Sequence, residues 1–182
     1  MGYIVDQKSQ INSELGLMMP RLKSFAAALT GSEAKAQMLL KSTRNHILAR
    51  MAKERGHTAM TLWAFTQMYK IWVSRMKGGP SDQPEPADPR LFQPRSRMND
   101  GGASARFAMQ LAQFAPQQRA TLHLVYGERL SYDEVAEIFG VPVAAIITRL
   151  SKCHAVLAQP DERERSGFSP AAPSVPAHGR AA

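Results

Sequence analysis

The sequence predicts an all-α protein made of two small helical domains joined by a Pro/Gly-rich linker. Three observations carry this. Apolar residues recur at spacings of three and four in both halves of the chain, the period of a helix with one buried face. Between those halves, residues 78–102 (GGPSDQPEPADPRLFQPRSRMNDGG) hold five prolines and four glycines and few large apolar side chains. Such a composition makes a linker rather than a core element. The run from Ala115 to Leu157 then has the start signal, tight turn and second helix of a helix-turn-helix.

The first domain, residues 1–77, reads as three helices. One spans about Ser9 to Leu29, with Pro20 expected to kink or break it. Thr30-Gly31-Ser32 is the turn. A second helix runs from about Ser32 to Lys53 on Leu39, Leu40, Ile47 and Leu48, and Gly56 breaks it. A third runs from about Thr58 to Met76, with Leu62, Phe65, Tyr69, Ile71 and Trp72 as its apolar set. Methionines 38, 51, 60, 68 and 76 fit as adaptable core filler.

The second domain, residues 103–158, reads as four helices. The first two cover about Ala103–Phe114 and Pro116–Tyr126. Ser131 and Glu134 then form an S-x-x-E capping box, flanked by Leu130 and Val135 as a hydrophobic staple. Asp133 and Glu134 put negative charge in the first turn, where the helix dipole favours it. Val135, Ile138 and Phe139 make the apolar stripe, Gly140 ends the helix in a left-handed conformation, and Pro142 opens the next. The last helix, about Val143 to Ala158, turns Ile146, Leu150, Cys153 and Leu157 to the core. Ala145, Thr148, Arg149 and Lys152 fall on the opposite side, the face that a helix-turn-helix lays in a DNA major groove. The tail, residues 159–182, is rich in Pro, Ala and Ser and reads as disordered.

The chain has 182 residues and a formal net charge of +8. Residues 1–77, with 12 Lys/Arg against 4 Asp/Glu, hold the whole excess. A basic domain favours a polyanion such as DNA through phosphate contacts. No apolar run reaches the length of a membrane span, and no basic-then-apolar leader opens the chain, so a cytoplasmic protein without a membrane partner is expected. One cysteine cannot form an internal disulfide, and Cys153 reads as a buried thiol. No Gly-rich phosphate loop, metal-ligand spacing or nucleophile constellation stands out, and His46, His57, His123, His154 and His178 are scattered. Neither an enzyme nor a cofactor is expected.

Several motifs together resemble a bacterial sigma factor of the extracytoplasmic-function type, closest to the alphaproteobacterial general-stress sigma and sigma-like group. Ala115-Pro116-Gln117-Gln118-Arg119, Leu130-Ser131-Tyr132-Asp133-Glu134-Val135-Ala136 and Gly140-Val141-Pro142-Val143 are similar to sigma region 4. Ala28-Leu29-Thr30-Gly31-Ser32 and Leu62-Trp63-Ala64-Phe65-Thr66 are similar to sigma region 2. The resemblance implies a transcription regulator that engages core RNA polymerase and promoter DNA, with an anti-sigma factor or co-activator protein as a further partner. It implies that Trp63, Lys70 and Arg75 handle −10 DNA, and that Arg119 joins Thr148, Arg149 and Lys152 on upstream DNA. It places Leu39, Leu40 and Lys41 on a protein interface.

Two departures matter. The acids that family members carry on the second helix are absent from Gln37-Met38-Leu39-Leu40-Lys41-Ser42-Thr43, which removes charge complementarity to a basic polymerase face. The usual basic residue of the recognition helix is Ile147, an apolar side chain expected to be exposed to a protein partner or a thymine methyl. These departures support an alternative, a sigma mimic that binds an anti-sigma factor in partner switching.

Overall fold

Thr30, Gly31 and Ser32 set the first turn. The Thr30 hydroxyl donates to the Ala26 carbonyl at 2.8 Å, and Gly31 adopts φ +66°, a left-handed conformation that costs a residue with a Cβ. The turn joins α1 (Gly2–Thr30) to α2 (Glu33–Met51), and α3 (Met60–Met76) packs against both. The structure is a computed structural model that describes residues 2–51, 60–76, 86–93 and 101–158. The expected break at Gly56, the ends of the second and third helices around it, and the tail 159–182 lie outside the described residues. Among the described residues every regular element is helical.

α1 runs unbroken through Pro20. Leu15, Met18, Leu22, Phe25 and Leu29 bury one stripe of it on both sides of the proline, and that packing holds the helix across the one missing N–H. In α2 the buried stripe is Ala36, Leu39, Thr43 and Ile47, at spacings of three, four and four. Leu39 is only 1% exposed, which corrects its assignment to a partner surface: its position on the helix turns it to the core. Leu40 is half-buried and Lys41 exposed. Phe25 and Phe65 meet edge to face at 5.1 Å in the centre of the bundle.

Part of the stretch read as a flexible linker is docked. Asp88 donates its backbone N–H to the Gly31 carbonyl at 2.9 Å, Ala87 is buried, and Pro89–Phe92 form a short 3-10 helix capped by the Asp88 carboxylate. α4 (Gly101–Gln113) packs on that 3-10 helix. α5 (Pro116–Leu122) follows and passes into a π-helical turn (His123–Gly127), then α6 (Tyr132–Phe139) and α7 (Val143–Leu157) complete the chain. α5 packs on α1, and α6 packs on α3. One hydrophobic core therefore runs from Leu15 to Cys153 across both halves.

Gly31 is where three segments meet. A Cβ there would lie 2.6 Å from the Ala87 Cβ and 3.0 Å from an Arg119 Nη atom. Gly31→Ala should cost about 2–3 kcal/mol, combining left-handed strain with a backbone clash. Urea unfolding measures this, and an unchanged midpoint would contradict the packing of 86–93 on the turn.

Candidate nucleic-acid interface

The helix-turn-helix is built by local chemistry. Ser131 Oγ accepts from the Glu134 N–H, and the Glu134 carboxylate accepts from the Ser131 N–H at 2.7 Å. Both halves of the capping box are thus made. α6 buries Val135, Ala136, Ile138 and Phe139 and ends at Gly140, φ +63°. The Val141 N–H closes the end by donating to the Ala136 carbonyl at 3.1 Å. α7 starts after Pro142 and buries Ile146, Leu150 and Cys153, with Leu157 half-buried. Burial also pushes the Cys153 thiol pKa up, opposed in part by Arg149.

The opposite side of α7 is open. Gln118, Ala144, Ala145, Thr148, Arg149 and Lys152 line a shallow depression of about 460 Å³. Four residues expected to address DNA thus come together. Their polar groups are not equally available. Thr148 donates its hydroxyl hydrogen to the Ala144 carbonyl at 2.9 Å. Arg149 is half-buried, donates to Thr121 Oγ1 at 3.0 Å and to Gln117 Oε1 at 3.5 Å, and lies over the Phe139 ring at 5.0 Å. Burial draws its pKa down, countered by Tyr69 and Cys153. Lys152 is exposed. Ile147, 49% exposed, sits at the margin of this face and outside the depression.

Arg119 is a correction. It is 4% exposed, donates Nε to the Ala28 carbonyl at 2.9 Å and Nη1 to the Phe114 carbonyl, and lies 5.8 Å from the Phe92 ring centre. Burial lowers its pKa to about 10, so it stays charged at neutral pH. It joins α5 to the end of α1 and cannot reach upstream DNA in this arrangement. On α3, Trp63 and Lys70 are seven residues apart and share a stripe, Trp63 half-buried and Lys70 exposed. Arg75 lies about 120° away around the helix and donates to Ser42 Oγ. None of the three lines the α7 depression.

Two contacts across the halves carry no local signal in the sequence. Tyr69 of α3 meets Phe139 of α6 edge to face at 4.7 Å, stacks on Trp72 at 5.8 Å, and accepts from Gln117 Nε2 at 3.3 Å. Arg21 of α1 pairs with Glu128, whose side chain is 8% exposed and also lies 3.4 Å from His123 Nε2. Burial works to raise the Glu128 pKa, but the His123 ring beside it and the bonded Arg21 guanidinium outweigh it and hold the carboxyl below its ordinary value. A carboxylate with a depressed pKa stabilises the fold fully above its unfolded value and loses that contribution as pH falls through the folded value. Stability should therefore drop on acidification below about pH 4.3, the ordinary glutamate value. Glu128→Gln should be less stable at neutral pH and show a flatter acid limb in pH-dependent urea unfolding. Parallel acid limbs in the two proteins would refute this role for the pair.

Among the described residues no group of three or more His, Cys, Asp or Glu could hold a metal ion. No helix searched is long and apolar enough to cross a membrane.

Residues 104–152 match the family model described as Sigma-70, region 4. No curated protein matches the chain. A solved structure of the sigma factor RpoE in complex with the anti-sigma factor NepR, from Bartonella quintana, aligns with a TM-score of 0.67 at 21% identity. The alignment covers 88% of this chain and 98% of that one. The chain thus has a sigma-factor fold.

Proposed function

Because the chain carries a sigma-70 region 4 segment within the fold of a sigma factor, we propose that it is a divergent extracytoplasmic-function sigma factor that engages core RNA polymerase and promoter DNA. The observation that carries this reading is the capped α6–α7 helix-turn-helix with an uncovered face containing Thr148 and Lys152. Residues 103–158 act as the upstream-DNA unit. Residues 1–77, which hold the basic excess, act at the −10 element through Trp63, Lys70 and Arg75. The site of action is the cytoplasm. Full-length protein added to core polymerase from its host should retard promoter fragments and support run-off transcripts. A protein that neither binds promoter fragments nor associates with polymerase would sink this reading.

A second reading is favoured by Ile147, a large apolar side chain held half in solvent where the family carries a cation. On this reading the chain is a sigma mimic that binds an anti-sigma factor. The structural relative was solved with such a partner. Ile147→Asp should then abolish a complex with an anti-sigma protein and leave DNA binding unchanged. A complex that survives the substitution removes Ile147 from that interface.

A further inference from the structure

The open face of α7 is chemically narrow. A helix-turn-helix reads base edges mainly with the N-terminal residues of its second helix. Here the residues of its first two turns that line the depression are Ala144, Ala145 and Thr148, and none of them can make the paired hydrogen bonds that arginine makes to guanine or asparagine and glutamine make to adenine. The hydroxyl hydrogen of Thr148 is committed to the Ala144 carbonyl, so what its side chain retains for a base edge is a methyl group and an oxygen that can only accept.

The three longer side chains at the depression are disposed otherwise. Gln118 Oε1 accepts from the Ala115 N–H at 3.0 Å and caps α5. The Arg149 guanidinium is held by Thr121, Gln117 and the Phe139 ring. Lys152 lies two turns along α7 from Ala144 and supplies a point charge, which suits a phosphate.

We propose that α7 discriminates its upstream element through the C5-methyl groups of thymines, with Ala144, Ala145 and Thr148 as the residues that set specificity. This rests on the sigma-factor reading above. It deepens that reading by naming the chemical feature recognised: an apolar projection in the major groove that only A·T and T·A pairs present.

The test separates the two claims. Full-length protein, alone and with core polymerase, is used to select duplexes from a randomised pool. Thymines of the selected element are then replaced by deoxyuridine, which removes only the methyl groups. Loss of two methyl contacts should weaken binding about tenfold, while the same replacement outside the element should have no effect. Thr148→Ser keeps the hydroxyl and removes the methyl at an exposed position, so it should shrink the penalty for deoxyuridine. Duplex binding that is indifferent to deoxyuridine overturns the inference and leaves the sigma-factor reading standing. Failure to bind any duplex, with or without polymerase, overturns both.

Discussion

Arg119→Ala is expected to lower the stability of the protein by about 3 kcal/mol. The substitution removes two bonds from a buried cation and leaves the Ala28 and Phe114 carbonyls without that donor. It also leaves a void against the Phe92 ring. For a chain of this size the midpoint of thermal unfolding should fall by about 6–12 °C. Arg119→Met separates charge from bulk. It keeps the apolar stem, needs no desolvation of a cation, and should recover part of the loss. If Arg119→Ala unfolds within about 1 kcal/mol of the parent, the residue is not the junction described.

Phe139→Ala is expected to cost about 3–5 kcal/mol. Its ring is buried, receives Tyr69 edge-on, and supports the Arg149 guanidinium. Tyr69→Phe is the informative companion. It keeps the ring and removes only the bond from Gln117, so it should cost about 1 kcal/mol. Urea titrations of both variants measure the difference. Equal losses would mean that the hydroxyl bond to Gln117 of α5, and not the ring contact with Phe139 of α6, anchors Tyr69 to the C-terminal helices.

The helix-turn-helix was legible because its determinants are local. Ser131 and Glu134 are three residues apart, and Gly140 and Pro142 act through their own backbones. Arg119 was legible as a position but not as a role. Its spacing from Pro116 says where the side chain starts, whereas its partner carbonyl at Ala28 lies 91 residues away. Tyr69–Phe139 and Arg21–Glu128 are likewise long-range and have no spacing to betray them. Two other misses had a signal. Ala36, Leu39, Thr43 and Ile47 repeat at helical spacing, which places Leu39 on the core side. Asp88-Pro89 is the start signature of a helical turn, and it marks ordered chain inside the proline-rich stretch.

The Gly31–Ala87–Arg119 meeting point bears on attempts to transplant the C-terminal helices onto another protein. Grafted alone, they would carry Arg119 without the Ala28 carbonyl, the Phe92 ring or the bare Gly31 backbone that accommodate it. The cation would then face whatever surface the recipient offers, and the graft would begin with an exposed seam along α5. A chimera that moves residues 86–158 and preserves a glycine-containing turn opposite them keeps that fit. One cut at the end of the proline-rich stretch, where composition alone suggests a seam, divides it.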